Sequence, residues 1–268
     1  MKLFERLAAA LRDDEPVALA SRLDGAHAGA KLLIDARGMA GDLGSPGLNH
    51  AVAAEARALL EVGRTDTRTF GADGEPIGDE ARVFIQSFAP QPDMYIFGAI
   101  DFSRAMARLG KYLGYRVTVV DARPVFATKA RVPDADAVVV AWPDEFLRAA
   151  RVGARTAIIV LTHDVKFDIP LLQVALRTDA GFIGAMGSRR THANRVEALR
   201  AAGVSEAALA RISAPIGLDI GAQTPEETAI SIAAEMVAVR TGRHGGRLRD
   251  GALPVHPQPM DQVEAARS

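Results

Sequence analysis

The segment MYIFGAIDFSRAMARLGKYLGYRVTVVDARP, residues 94–124, decides the fold. Both of its ends are apolar runs typical of buried strands, and the stretch between them places apolar residues at helical spacing. The same alternation continues with further apolar runs at 136–142, 156–163 and 181–186. Near-continuous apolar strands that alternate with amphipathic helices form parallel sheets covered on both faces. We therefore predict an α/β protein with a Rossmann-like, doubly wound parallel sheet.

The residues on either side of this pattern have a different character. Residues 1–90 combine two helical patterns with short strand candidates, which predicts a smaller N-terminal α+β domain that ends at Pro90. Residues 91–242 make up the Rossmann-like domain. Residues 243–268 contain too few apolar side chains to pack alone, which favours a mobile tail.

Composition excludes several classes of function. The 32 basic and 33 acidic residues nearly cancel, and aromatic residues make up only 5%, which argues against nucleic-acid binding. The chain has no Cys, which excludes disulfides, iron–sulfur clusters and thiol chemistry on this chain. The N-terminus has no apolar run long enough for a signal peptide or a membrane span, so we expect no membrane association and a cytoplasmic protein.

The first two strands of the Rossmann pattern end in candidate ligand-binding residues, because ligands of such sheets bind beyond the carboxyl ends of the strands. Gly98 follows the first strand, but Ile100 and Ser103 occupy the other two glycine positions of a dinucleotide fingerprint. Asp121 ends the second strand, where a carboxylate would bind a ribose hydroxyl, and Arg123 would meet a phosphate. A plain turn at Gly98, a capping Asp121 and a solvated Arg123 are the alternatives.

The segment GAMGSRRT, residues 184–191, gives the strongest indication of anion binding. Gly187 frees the backbone, Ser188 is a candidate N-cap, and Arg189 and Arg190 fall in the first turn of the following helix. Cations at a helix N-terminus oppose the helix dipole, so this pair is unfavourable unless an anion compensates it. A solvated surface pair is the alternative.

Two further loops have both a functional and a structural interpretation. His163 and Asp164 follow the fourth strand, where they would serve as proton donor, base or metal ligand, or as structural residues. The six histidines show no metal-binding spacing, so no metal site is predicted. A glycine loop at 41–51 would either face the Rossmann site across an interdomain cleft or be a surface hairpin.

At this point the sequence resembles the XdhC/CoxI family, the maturation factors of molybdenum hydroxylases. The resemblance covers nearly the whole chain and is more general in the N-terminal part, residues 29–60. Its most specific motifs are VVDARPVFAT (119–128), LTHDVKFDIPLL (161–172), FIGAMGSRRTHANRVEAL (182–199) and PIGLDIGAQTPEETAISIAAEM (215–236).

The resemblance implies a protein that binds molybdenum cofactor, as molybdopterin or its nucleotide form. It also implies that the protein supports sulfuration of the cofactor by a sulfur-donating enzyme and inserts it into an apo molybdenum hydroxylase of the xanthine dehydrogenase type. A homodimer is also considered. Two motifs differ from the family pattern: GAIDFS replaces a G-x-G-H-like loop, and GSPGLNH replaces a stretch that carries a cysteine.

Three functions remain open on the sequence. The first is a non-catalytic accessory protein that binds cofactor through Gly98, Asp121, Arg123, His163, Asp164, Gly187, Ser188, Arg189 and Arg190. The second is an NAD(P)-dependent oxidoreductase, which would need the glycine loop that Ile100 interrupts. The third is a scaffold that only presents surfaces, because this architecture hosts many functions.

Overall fold

The computed structural model describes residues 3–76, 78–162 and 164–252. Two sheets divide the chain. The N-terminal part contains α1 (Leu3–Arg12), β1 (Val17–Arg22), β2 (Lys31–Asp35), β3 (Gly38–Gly41), α2 (Pro46–Val62), β4 (Asp66–Phe70) and β5 (Ala81–Phe88). Its strands form an antiparallel sheet in the order β3-β2-β1-β5-β4.

The second sheet begins with β6 (Asp93–Phe97), α3 (Asp101–Tyr112), β7 (Arg116–Asp121), β8 (Ala137–Val140) and α4 (Pro143–Ala149). It continues with β9 (Ala157–Val160), α5 (Val165–Ala175), β10 (Phe182–Ala185), α6 (Arg189–Ala201), α7 (Glu206–Leu209), β11 (Ile212–Ser213) and α8 (Pro225–Thr241). A short 3-10 turn follows at Leu248–Asp250.

The second sheet has six parallel strands in the order β11-β10-β9-β6-β7-β8. The chain moves outward from β6 through β7 to β8, then returns and moves outward on the other side from β9. This reversal is the topological switch point of a Rossmann fold, and it lies between β6 and β9. The predicted fold class, a Rossmann-like parallel sheet with a smaller α+β region before it, is confirmed.

Two apolar layers hold the Rossmann sheet. One face packs through Ile96 and Val119 against α3 and α8, and the other packs through Phe97 and Ile158 against α4, α5 and α6. Both faces are covered, which explains why the strands are apolar at successive positions instead of alternating. None of the helices in the described ranges is long and apolar enough to cross a membrane.

The N-terminal sheet also packs on both faces, with α2 on one and α1 on the other. Its edge strand β3 lies in a segment bounded by two glycines, a composition that is more typical of turns than of strands. The backbone pairs with β2 there, from Asp35 opposite Gly38 to Leu32 opposite Gly41, in spite of the glycines. The edge position explains this difference, because an edge strand needs only one partner.

The contacts between the two parts lie at the amino ends of the Rossmann strands. Arg155, just before β9, donates to the carbonyl oxygen of Pro90 at 2.8 Å and also approaches Gly63 at the end of α2. Burial, followed by repulsion from Arg240, lowers the pKa of Arg155. The predicted boundary near residue 90 falls between β5 and β6, and the domain limits themselves stay a prediction.

The glycine loop at 41–51 lies at the opposite end of α2 from this junction. A helix rises about 1.5 Å per residue, so the 17 residues of α2 separate the loop from Gly63 by roughly 25 Å. Asn49 holds the loop together, since its side chain accepts from the N–H of Leu43 at 2.8 Å and donates to Asp42 at 2.9 Å. The segment is therefore the connection from β3 into α2 and not a surface hairpin, and it lies away from the junction between the two parts.

Candidate functional site

Five helices begin at the carboxyl edge of the Rossmann sheet, and the start of α6 differs from the other four. The first turns of α3, α4, α5 and α8 contain acidic residues, whereas the first turn of α6 contains none. Carboxylates stabilise the positive end of a helix and repel anions from it. Among these helices, α6 is therefore the one whose start is electrostatically open to an anion.

The start of α6 also has unused hydrogen-bond donors. Ser188 is the N-cap, and its hydroxyl accepts from the N–H of Thr191 at 3.1 Å. Within the described residues, nothing accepts from the backbone N–H groups of Gly187, Ser188, Arg189 or Arg190. Four consecutive free donors at a helix N-terminus form a cradle suited to a phosphate.

Arg189 and Arg190 are exposed, and neither forms an ion pair or hydrogen bond with any residue in the described ranges. Gly187 precedes them with φ +144°, and a Cβ at this position would lie 3.1 Å from Cγ2 of Thr191. Glycine thus permits both the backbone conformation and the close approach of the loop to the helix. The four residues predicted from GAMGSRRT, Gly187, Ser188, Arg189 and Arg190, are consecutive and form the N-terminus of α6.

Two backbone N–H groups in the loop after β6 already donate to side chains of the protein. The N–H of Ala99 donates to Asp121 at 2.8 Å, and the N–H of Ile100 donates to the hydroxyl of Ser103 at 3.3 Å. Gly98 has φ +102°, and an added Cβ would lie 2.8 Å from Cγ2 of Thr162 at the end of β9. The lack of a side chain at Gly98 therefore lets the loop after β6 pack directly against Thr162 at the switch point.

Asp121 is 3% exposed and accepts four hydrogen bonds. One comes from Ala99, and three come from Arg123: its backbone N–H at 2.9 Å, Nε at 2.9 Å and Nη2 at 2.8 Å. Burial alone would raise the pKa of Asp121, but the hydrogen bonds from Arg123 and Ala99 together lower it. Direct contact of this carboxylate with a ligand stays a prediction, and it requires one of these donors to leave.

Arg123 extends from Asp121 toward solvent, with its side chain 47% exposed. Its guanidinium lies 4.3 Å from the ring centroid of Phe126, and that of Arg131 lies 5.1 Å from the same ring. The hydrogen bonds that its guanidinium donates to Asp121 raise the pKa of Arg123, and the negative charge of Asp164 acts in the same direction. Arg123 is thus a fixed, partly exposed cation at the end of β7.

Asp164 is the N-cap of α5 and accepts from the N–H of Lys166 at 3.1 Å. This contact gives it a structural role and leaves part of the carboxylate exposed. His163 lies outside the described residues. No cluster of metal-binding side chains occurs within the described ranges.

A buried ion pair beneath the ends of β9 and β10 was missed by the sequence reasoning. Arg195 of α6 and Asp168 of α5 have side chains only 3% and 2% exposed, and Arg195 Nη2 lies 2.5 Å from Asp168 Oδ2. Arg195 also donates to the carbonyl oxygen of Met186 at 3.1 Å, and Thr162 donates to Asp168. Burial raises the pKa of Asp168 despite these hydrogen bonds. The pair joins α5 and α6 to the loops at the carboxyl edge.

Two buried nitrogen atoms of α6, one on Arg195 itself and one on a neighbouring residue, have no hydrogen-bond partner within the described residues. They are Nη1 of Arg195 and Nδ1 of His192, which lie three residues apart on α6 and so on neighbouring positions of the helix. Burial, followed by the positive charge of Arg195, lowers the pKa of His192. A spacing of three residues predicts that His192 and Arg195 lie on one side of the helix. The sequence does not indicate that this side is buried.

Comparisons with known proteins agree with this fold and also indicate a protein family. The model of the XdhC Rossmann domain family matches residues 94–236, and the model of the XdhC and CoxI family matches residues 10–71. The crystal structure of a xanthine dehydrogenase from Bacillus halodurans superimposes on this chain with a TM-score of 0.52. It shares 20% sequence identity and covers 94% of this chain and 98% of its own, which is a likeness of fold.

Two curated relatives have informative names. A probable xanthine dehydrogenase subunit of Bacillus subtilis is 32% identical over 158 residues, which cover 59% of this chain and 46% of that protein. The molybdenum cofactor insertion chaperone PaoD of Escherichia coli is 29% identical over 171 residues, which cover 64% of this chain and 46% of that protein. The matches span about half the length of these relatives. With one family model covering its Rossmann domain and a second covering much of its N-terminal part, the chain belongs to the XdhC/CoxI family.

Proposed function

We propose that this protein binds molybdenum cofactor at the carboxyl edge of its Rossmann sheet and delivers it to an apo molybdenum hydroxylase of the xanthine dehydrogenase type. The names of the Escherichia coli and Bacillus subtilis relatives support the cofactor and the class of client enzyme. Support of sulfuration by a sulfur-donating enzyme is part of the same proposal. With no Cys, this chain would leave any sulfur transfer to that partner. A homodimer stays a prediction.

The observation that carries the proposal is the start of α6. Four free backbone donors and the cations of Arg189 and Arg190 converge there, with no acidic residue in the first turn. Charge-assisted hydrogen bonds to a phosphate would compensate the repulsion between these cations and the helix dipole. We assign the phosphate of the cofactor to Gly187, Ser188, Arg189 and Arg190.

The remaining donors suit the same kind of ligand. The unpartnered Nη1 of Arg195 and Nδ1 of His192 are buried polar atoms beside the loops of the carboxyl edge. A ligand rich in oxygen and nitrogen atoms would supply partners that the described residues do not. Arg123, held by Asp121 at the end of β7, and the exposed edge of Asp164 after β9 would line the crevice on the two sides of the switch point. Gly98 would contribute by keeping the loop after β6 close to β9.

Hydride transfer from a nicotinamide cofactor has little support. Two backbone donors that would bind a pyrophosphate in the loop after β6 are used by Asp121 and Ser103, and the exposed Asp101 begins α3 with a negative charge. We propose an accessory role without redox turnover by this chain.

The test is a double variant, Arg189→Ala with Arg190→Ala, compared with Arg12→Ala with Arg64→Ala. The control removes two exposed arginines from the N-terminal part and makes the same change in net charge. Calorimetry with inorganic pyrophosphate, and mass spectrometry of cofactor retained after purification from a molybdenum-replete host, measure binding. Loss of the two arginines should weaken binding by about 2 to 4 kcal/mol, given about 1.5 to 3 for each charge-assisted bond and incomplete additivity.

Two results would count against the proposal. Equal affinity of both double variants for pyrophosphate would remove α6 from the site. A wild-type protein that retains no pterin, and that fails to raise the activity of a co-expressed molybdenum hydroxylase, would contradict the cofactor-delivery function itself.

A further inference from the structure

Trp142, the single tryptophan of the chain, lies at the carboxyl edge of the Rossmann sheet and is 48% exposed. It follows β8 directly and stands at the N-cap of α4. Its neighbour Ala141 donates a backbone hydrogen bond to the carbonyl oxygen of Asp121 at 3.3 Å. Trp142 is therefore next to the strand ends that carry Asp121 and Arg123.

Local structure does not explain a tryptophan at this position. The N-cap of a helix favours Ser, Thr, Asp or Asn, and Trp142 makes no side-chain capping hydrogen bond. Its ring centroid is 5.2 Å from that of Phe167, with the two planes at 51°, so Phe167 supports the indole without covering it. The indole N–H has no acceptor within the described residues.

Two exposed apolar residues lie at the same edge of the sheet as Trp142. Val140 ends β8 and Val165 begins α5, and we call these three residues, Val140, Trp142 and Val165, the Trp142 patch. The ammonium of Lys166 lies 4.6 Å from the centroid of the Phe167 ring that supports the indole. An aromatic surface edged by a cation matches the face of a planar, electron-rich ring.

We propose that the Trp142 patch is a stacking subsite for the planar heteroaromatic ring of a phosphate-bearing ligand, a purine, pyrimidine or pterin. The inference rests on the proposed function for its class of ligand. The ends of β8 and β10 are four strand positions apart, or roughly 19 Å at about 4.8 Å per strand. A ligand that touches both the patch and the start of α6 is therefore extended, as a dinucleotide is, and the two subsites can be tested separately.

The probe is diguanosine pyrophosphate, which carries two planar rings and a pyrophosphate, and inorganic pyrophosphate is the probe without rings. Since the chain has one tryptophan, its emission reports on this site alone. Diguanosine pyrophosphate should quench the emission in a saturable manner, and pyrophosphate should bind without quenching. Trp142→Ala should weaken binding of the dinucleotide about fivefold to a hundredfold, as expected for loss of one stacked base, and leave pyrophosphate affinity unchanged.

Two variants complete the design. Trp142→Phe keeps an aromatic ring and should retain most of the affinity, which a general loss of folding would not allow. Tyr112→Ala removes an aromatic side chain that is 85% exposed at the end of α3, on the opposite edge of the sheet, and should change nothing.

The outcomes separate this inference from the proposed function. If pyrophosphate binds but the dinucleotide binds no tighter, or if Trp142→Ala binds the dinucleotide as the wild type does, the stacking subsite is wrong and the phosphate site stands. If neither probe binds the wild type, both are wrong. If Trp142→Ala impairs only association with the apo-hydroxylase, the patch binds protein and the stacking proposal is overturned.

Discussion

Replacement of Asp121 by Ala removes the acceptor of four hydrogen bonds at the end of β7. The donors are the backbone N–H of Ala99 and three groups of Arg123. Ala99 is almost completely buried, so its N–H would lose its partner without gaining water. The side chain of Arg123 is half exposed and would be resolvated.

These two consequences differ in energy. An unpaired buried donor costs about 1 to 3 kcal/mol. Loss of the ion pair with the half-exposed Arg123 costs about 0 to 1 kcal/mol, because solvent screens it. Together they predict a loss of roughly 1 to 4 kcal/mol in the free energy of unfolding. For a unit of about 150 residues, each kcal/mol corresponds to a fall in Tm of about 2 to 4 °C.

Thermal unfolding followed by circular dichroism checks this value, with Asp179→Ala as the control because Asp179 is exposed and makes no hydrogen bond within the described residues. Binding of diguanosine pyrophosphate, which carries ribose hydroxyls, is measured in parallel. If Asp121→Ala melts with the wild type but no longer binds, the carboxylate contacts the ligand and its role as an anchor of the loop is refuted.

Three further predictions concern the same edge of the sheet. Because the pKa of Asp121 is lowered in the folded protein, its charge stabilises the fold fully above its unfolded pKa of about 3.9, and the stability difference between wild type and Asp121→Asn in urea should shrink as the pH falls below that value and disappear below the lower pKa of the folded state. A difference that is constant from pH 3 to 7 would contradict this. Arg195→Met should cost about 3 to 5 kcal/mol in urea unfolding because it leaves Asp168 buried without its cation, and adding Asp168→Leu should recover part of the loss; no recovery would argue against the pair. Gly98→Ala should cost about 1 to 3 kcal/mol through its positive φ, with a further steric component relieved by Thr162→Ser, which a double-mutant cycle would detect.

The apolar strands of the Rossmann sheet were predictable because burial on both faces leaves a continuous run of apolar letters. Met94 to Phe97 and Ala157 to Val160 are examples. Strand β3 was not predictable in this way. Gly38 and Gly41 resemble turn residues, and only the presence of β2 beside them makes the segment a strand.

The candidate site was predictable where a short segment contains all of its parts, as in the loop from Gly187 to Arg190. It was not predictable where partners are distant in sequence. The N–H of Ala99 reaches Asp121 across 22 positions, and Arg195 meets Asp168 across 27, so their pairing depends on the tertiary fold. A polar residue on a helix gives no sign in the sequence of whether it faces solvent or another helix.

The position of the junction between the two parts bears on how quickly a ligand could leave. The N-terminal part contacts the Rossmann domain at Pro90 and Arg155, at the amino ends of the strands, whereas the cradle at Arg189 is at the carboxyl ends. Dissociation of a ligand therefore needs no separation of the two parts. Residence time would be set by the direct contacts with the ligand. Under the proposed function, a client protein that competes for those contacts would take the ligand without any separation of the two parts. This geometry favours transfer of a bound ligand to another protein over its long retention.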